Sequence, residues 1–236
     1  MKIVFLGLND IGKRIYDWLV DQGETILGIL TTREQLKLVH ELKPDLVLCI
    51  GFRHIVDQAT LAVPSMGCIN LHKALLPTNR GANPNVWSIL ESKTAGVSMH
   101  YMDMGVDTGP LIAQREVEIS FADTAGSLYE KLEDEQFDLF VETWPRIRSG
   151  DVEPREQVGE ATVHRKQDFK DLWKLDLNRE CTLSEAIDLL RALTFPPFRN
   201  AYVEKDGKRY YVEIRITPEE GDREQTWRRL VPDYHE

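Results

Sequence analysis

Residues 2–30 read KIVFLGLNDIGKRIYDWLVDQGETILGIL. Two apolar runs, KIVFLG at 2–7 and TILGIL at 25–30, bracket a stretch in which Ile11, Ile15, Trp18 and Leu19 recur at helical spacing. A strand, a helix over about 10–22 and a second strand form the unit that lays an amphipathic helix on a parallel sheet. The pattern continues with REQLKLVHEL at 33–42 as a helix, DLVLCIG at 45–51 as the third strand, a short helix within 55–62 and GCINLH at 67–72 as the fourth strand. Periodicity alone therefore predicts βα architecture, with His40 a surface or partly buried residue of the second helix.

A polar loop, ALLPTNRGANPN at 74–85, follows, and then a helix over 85–92 carrying Val86, Trp87, Ile89 and Leu90, with Trp87 read as core. AGVSMHYMDM at 95–104 and GPLIAQREVEI at 109–119 flank a glycine-bearing turn and read as an antiparallel pair. A long helix is expected over 124–149, using Leu128, Leu132, Phe137, Phe140 and Val141, and SGDVEP at 149–154 reads as its end and a linker. The organisation is thus a first domain over 1–150 and a small module over 151–236. In that module LSEAIDLLRAL at 183–193 is an amphipathic helix, TFPPF stops it, and NAYVEKDGKRYYVEIRI at 200–216 is a hairpin turning at Asp206-Gly207. A helix and hairpin of that size are marginal alone, so they are expected to pack on the larger sheet or on another subunit. The last 20 residues are charged and expected to be partly mobile.

Composition narrows the function classes. The 236 residues are 42% hydrophobic and 29% charged, which excludes a mostly disordered or collagen-like chain. Twenty-nine Lys and Arg against 39 Asp and Glu leave a net charge of -10, so nucleic acid is not an expected partner, although a local basic pocket can still hold a phosphorylated ligand. Cys49, Cys68 and Cys181 are too scattered for a disulfide scaffold or a Cys-rich metal site. No apolar run approaches the length that spans a bilayer, and the N-terminus lacks the pattern of a secretory signal. The expectation is a cytoplasmic protein with no membrane partner.

Three polar elements carry the chemistry. Gly7-Leu8-Asn9-Asp10-Ile11-Gly12 is either a structural turn or a helix start that meets a phosphate; it lacks the dinucleotide fingerprint, which disfavours an oxidoreductase. Asn70 and His72, two apart at a strand end, share a face while Leu71 points to the opposite layer. Arg80, in the loop that follows, is either a solvated charge or a group that positions substrate. In Asp103-Met104-Gly105-Val106-Asp107-Thr108-Gly109 the two acids read as turn formers, as a weak Mg²⁺ candidate, or, if the loop approaches His72, as the source of a carboxylate that orients the imidazole. His100 is read as structural or superficial and outside this set.

INLHKALLPTNRGANPNVWSI at 69–89 followed by MDMGVDTGPLI at 102–112 resembles the formyltransferase family that uses 10-formyltetrahydrofolate. The resemblance covers about 1–150 and implies a Rossmann-like formyltransferase fold with a mixed, mostly parallel sheet, completed by the small C-terminal helix and β-hairpin. It implies Asn70, His72 and Asp107 as the catalytic set, with no metal. Lys73 stands where familiar members carry a small residue or proline, so departures from the pattern concern the acceptor. The tail DLLRALTFPPFRNAYVEKDGKRYYV further resembles sugar N-formyltransferases, which act on nucleotide-linked amino dideoxy sugars; glycinamide ribonucleotide and methionyl-tRNA formyltransferases share the core motifs and are the alternatives within the family. A non-catalytic nucleotide-sugar or folate sensor is the alternative outside it.

The resemblance implies N10-formyltetrahydrofolate as formyl donor, held by Phe52, Arg53, His54 and Ile55 and by the chain at Asp103, Gly105 and Val106. For the acceptor, expected to be dTDP-4-amino-4,6-dideoxyglucose, the candidates are Asn9, Lys73, Arg80, Phe195 and Phe198: cations answer a diphosphate, amides answer hydroxyls and an aromatic face answers a base. Phe52, Ile55, Phe195 and Phe198 also read as ordinary packing. A homodimer through the C-terminal module is expected.

Overall fold

A computed structural model describes residues 1–219. The charged tail expected from residue 217 lies, from 220 onward, outside the described residues. The chain enters through β1 (Lys2–Leu6), in which Ile3 and Phe5 face one side of the sheet and Val4 and Leu6 the other, all fully buried. It turns at Gly7 into α1 (Asp10–Asp21), where the Asn9 side chain accepts the Gly12 N–H at 3.0 Å. Gly7 sits at φ +76, and a Cβ there would stand 2.6 Å from the Phe52 nitrogen, so only glycine lets the two loops pass.

β2 (Thr25–Leu30), α2 (Lys37–Leu42), β3 (Leu46–Cys49), α3 (Gln58–Leu61) and β4 (Cys68–His72) follow. The helix expected over 33–42 is split, because Arg33–Leu36 forms a 3-10 turn that leads into α2. The helix expected within 55–62 starts only at Gln58, where the Asp57 carboxylate caps the Thr60 N–H at 2.9 Å. His40 is exposed on α2, as expected. Next come β5 (Arg80–Gly81), α4 (Pro84–Trp87) running into a π turn at Ser88–Ser92, β6 (Ala95–Tyr101), β7 (Leu111–Val117) and α5 (Ala125–Ser149). β8 (Val163–His164), α6 (Lys166–Asp171), α7 (Leu183–Leu193) and two small hairpins, β9 (Thr194–Phe195) with β10 (Phe198–Arg199) and β11 (Tyr202–Lys205) with β12 (Lys208–Tyr211), complete the described chain.

The central sheet has the order β2-β1-β3-β4-β6-β7, parallel from β2 to β4 and antiparallel at β6 and β7. This is the expected mixed, mostly parallel sheet. Ile11 and Ile15 of α1 and Phe140, Trp144 and Ile147 of α5 cover one face, and Leu36 and Val39 lie on the other. Each such side chain, fully buried, contributes roughly 1.5–3 kcal/mol.

Beyond residue 150 the chain is attached more closely than a linker would be. Arg155 exchanges backbone hydrogen bonds with Leu111, and β8 pairs in parallel with β5. Ala192 of α7 packs with Val86, Trp87 and Leu128, and the buried Arg191 guanidinium donates to the carbonyls of Ser120 at 2.7 Å and Asp123 at 2.8 Å. Of the expected helix and hairpin, the helix α7 thus packs on α4 and α5 of the first domain. Among the described residues no helix is long and apolar enough to cross a membrane.

The β5–β8 contact gives a measurable constraint. Gly81 lies at φ +89 and a Cβ there would run into the His164 carbonyl oxygen, whereas Gly150, at φ +77, has open space around it. Gly81→Ala should therefore lose roughly 1–3 kcal/mol more than Gly150→Ala in urea unfolding, because both carry backbone strain but only the first carries overpacking. Equal losses would mean that the 155–164 strap yields freely.

Candidate active site

The C-terminal end of β4 presents Asn70 and His72, and the antiparallel register with β6 puts His100 opposite Asn70. Leu71 packs against the core cluster between them while also bordering the cavities described below. The turn between β6 and β7 brings Asp107 across the end of the sheet, in a left-handed conformation at φ +54. The Asp103 carboxylate shapes that turn by accepting the Gly105 N–H at 2.9 Å and the Thr108 hydroxyl at 2.5 Å.

Hydrogen bonds settle which ring nitrogen does what. His72 Nε2 lies 2.8 Å from the Asn79 carbonyl oxygen, which can only accept, so Nε2 carries the proton and Nδ1 is the basic nitrogen. Nδ1 faces Asp107 Oδ2 at 3.6 Å. The same Oδ2 accepts the Gly81 N–H at 2.8 Å, and Oδ1 accepts from the Asn70 amide at 3.2 Å. His100 Nδ1 donates to the Tyr101 carbonyl at 2.8 Å, which leaves its Nε2 to accept the other Asn70 amide hydrogen at 3.1 Å. Of the structural and superficial readings of His100 the structural one holds, since it is buried, but it bonds directly to the set and fixes the rotation of the Asn70 amide.

Burial pulls the His72 pKa below its ordinary 6.5, although Asp107 and the Asn79 carbonyl act the other way. Burial by itself would raise the Asp107 carboxyl, but His72, His100 and the Gly81 N–H outweigh it and hold the group well below the usual carboxylate range. Near neutrality the pair is a neutral imidazole beside a charged carboxylate, an arrangement that accepts a proton and stabilises the result.

Two cavities meet here. The first, of about 420 Å³, is bordered by Phe52, Arg53, His54, Ile55, Asp103, Gly105 and Val106 together with Asn70, His72 and Asp107. Ile55, Met104 and Val106 are exposed apolar side chains in its two loops. Cys49 borders it too, its thiol pushed up to about 12 by burial. The second cavity, of about 200 Å³, is bordered by Asn9, Lys73, Asn85, Tyr129 and Gln136. Gly51, Leu71, His72 and Gly81 border both. Lys73 Nζ lies 4.2 Å from the centre of the Tyr129 ring and 3.4 Å from Glu133 Oε1, and burial pulls its pKa down.

Other residues singled out in the sequence are placed differently. Arg80 borders neither cavity; its guanidinium donates to Gln157 Oε1 at 3.2 and 2.6 Å. Phe195 packs edge-on against Tyr129, and Phe198, beside it, is 61% exposed. Trp87 is buried, as expected, and stacks on His164. Gln157, which no sequence pattern singled out, donates its amide hydrogens to the carbonyls of Asp107 at 2.9 Å and Gly109 at 2.8 Å. It therefore clamps the Asp107 turn from outside while holding the Arg80 segment. Among the described residues no group of three or more His, Cys, Asp or Glu is placed to hold a metal ion.

Comparison with known proteins adds independent findings. The family profile described as formyl transferase matches residues 29–144, and that of the N-formyltransferase dimerization C-terminal domain matches 168–218. The chain is 37% identical over 176 residues to a dTDP-4-amino-4,6-dideoxyglucose formyltransferase of Mycobacterium tuberculosis, covering 74% of each chain. It superposes on a sugar N-formyltransferase from a Shewanella species with a TM-score of 0.85 at 25% identity, over 93% of this chain and 99% of the other. The formyltransferase PseJ of Anoxybacillus kamchatkensis, solved with UDP-4,6-dideoxy-4-formamido-L-AltNAc and tetrahydrofolate, aligns over 72% of this chain and 89% of its own, at 33% identity and a TM-score of 0.66.

The clamp makes a prediction about local order. Gln157→Met removes both hydrogen bonds to the Asp107 turn, so the Gly81 N–H, whose acceptor is Asp107, should exchange with solvent at least about tenfold faster, equivalent to ~1.4 kcal/mol. Unchanged Gly81 exchange in a folded variant would show that the turn holds itself.

Proposed function

The chain belongs to the formyl transferase family, and from that premise we propose that it moves a formyl group from N10-formyltetrahydrofolate to the amino group of a nucleotide-linked amino dideoxy sugar, dTDP-4-amino-4,6-dideoxyglucose. The observation that carries this reading is the meeting of two unlike cavities at His72. The larger has apolar walls in Phe52, Val56 and Val106 with polar groups at its edge, which suits a flat pterin ring. The smaller offers an ammonium, amides and an aromatic face, which suit a diphosphate and a sugar. We assign acceptor contacts to Asn9 and Lys73, and donor contacts to the Phe52–Ile55 segment and the turn at Asp103, Gly105 and Val106. Arg80 is engaged by Gln157 and Phe195 by Tyr129, so neither is assigned a ligand.

The donor supplies an electrophilic formyl carbon; every other step falls to residues of this chain. His72 Nδ1 accepts the proton that the attacking amine must shed, and the Asn79 carbonyl keeps the ring in the tautomer that allows it. The new imidazolium is then paired with Asp107, and as the tetrahedral species collapses it returns its proton to the folate N10, whose bond to the formyl carbon breaks. Drawing the carboxylate toward Nδ1 weakens its 3.2 Å bond to Asn70, and the released amide hydrogen is available to the carbonyl oxygen as that oxygen gains negative charge. His100 holds the other amide hydrogen and so keeps Asn70 aimed.

The reading includes a cytoplasmic homodimer. It is supported by the match of 168–218 to a dimerization domain and by exposed Phe198, Tyr210 and Tyr211 on the small hairpins. Three free cysteines agree with a reducing compartment.

Incubation with N10-formyltetrahydrofolate and dTDP-4-amino-4,6-dideoxyglucose should give a product heavier by one formyl group in place of hydrogen; formylation of glycinamide ribonucleotide or methionyl-tRNA instead would overturn the assignment. His72→Asn should lower kcat by roughly 10² or more, and Asp107→Asn should depress turnover with folate binding largely intact. Near-normal kcat in both would sink this mechanism. Light scattering should return a dimer mass that Phe198→Asp reduces, whereas an active monomer at every concentration would reject the assembly.

A further inference from the structure

The helix α5 packs its core face through Leu128, Leu132, Phe140 and Ile147, and Gln136 falls within that stripe four residues after Leu132 and four before Phe140. It is only 2% exposed, and neither its amide oxygen nor its amide nitrogen finds a hydrogen-bond partner among the described residues. Burying an amide with nothing to bond is costly, and a leucine or methionine of similar size would serve packing better. Gln136 also borders the smaller cavity, so its unused donors and acceptor have a ligand space to meet.

The neighbouring amides are less free. Asn9 Oδ1 already accepts the Gly12 N–H, and Asn85 Nδ2 donates to the Ala125 carbonyl at 2.9 Å. Lys73, the cation of this cavity, faces Glu133. Gln136 thus keeps its whole capacity, two donors and one acceptor, on a side chain whose position is fixed by packing. Charged ligand groups would use only half of it: a phosphate only accepts, and an ammonium only donates. A hydroxyl does both, and two adjacent hydroxyls satisfy an amide completely.

We infer that Gln136 is the residue that reads the ring hydroxyls of the acceptor sugar, and so sets which amino sugar is formylated. This rests on the acceptor reading above and adds to it a specificity-determining contact on α5, in the same cavity that His72 borders. Lys73 is then left to the diphosphate, and sugar identity is decided by a neutral amide.

The experiment compares wild type and Gln136→Leu on dTDP-4-amino-4,6-dideoxyglucose and on two analogues lacking its C2 or its C3 hydroxyl, with the dissociation constants of dTDP and tetrahydrofolate and the urea midpoint measured alongside. Wild type should lose about tenfold or more in kcat/KM on at least one deoxy analogue, as expected when a buried polar group is left unpaired. Gln136→Leu should not discriminate that analogue from the parent, should raise KM for the parent by a similar factor, should keep its affinity for dTDP and tetrahydrofolate, and should unfold no earlier than wild type. Equal turnover of all three sugars by wild type would overturn the assignment whether or not the variant folds, since it would mean that Gln136 serves buried water. A folded variant that discriminates as wild type does would overturn it too. No turnover of the parent sugar by wild type would instead reject the acceptor reading, and this inference with it.

Discussion

A carboxylate buried as Asp107 is stays charged only where donors surround it, because desolvation alone would protonate it. Those donors come from places far apart in the chain: the Gly81 backbone, the Asn70 amide at the end of β4, and, on protonation, the ring of His72. Each donor is in turn fixed by something else. His72 is held by the Asn79 carbonyl, Asn70 by His100, and the Asp107 turn by Gln157. Remove the charge and these groups lose the common partner that sets their relative positions.

The sheet supplies the rigid base for this cluster. Where parallel β3 and β4 give way to antiparallel β6, the strand ends and the β6–β7 turn converge on one edge, the general location of ligand crevices in open α/β sheets. The 155–164 strap then closes that edge from outside through β8 and Gln157. The two cavities are kept apart except at Gly51, Leu71, His72 and Gly81, so under the proposed reading donor and acceptor meet only beside His72.

Much of this was legible in the sequence, and particular residues show where legibility stopped. The two-residue spacing of Asn70 and His72 put them on one face by strand geometry, and the alternation of apolar runs with helical stretches fixed the first four strands. The contact of His100 with Asn70 depends on the register between β4 and β6, which single-strand periodicity does not carry. Gln157 acts across a separation of 50 residues from Asp107 with no local pattern to mark it. The splitting of the helix at Arg33–Leu36 follows hydrogen bonding that hydrophobic spacing does not encode. Gln136 did leave a trace: a polar residue in step with Leu132 and Phe140 breaks an otherwise apolar stripe. Arg80, a loop arginine next to glycine, carries no sign in the sequence of the glutamine that engages it.

The central claim is that His72 waits as a neutral base because burial outweighs the pull of Asp107. Titrating the His72 imidazole by NMR in wild type and in Asp107→Asn tests it directly. The account predicts a wild-type pKa below 6.5, with activity lost as pH falls through that lowered value, and a further fall in Asp107→Asn, where the charge that favours the imidazolium is gone. A wild-type value at or above 6.5, or one that Asp107→Asn leaves unchanged, would contradict it.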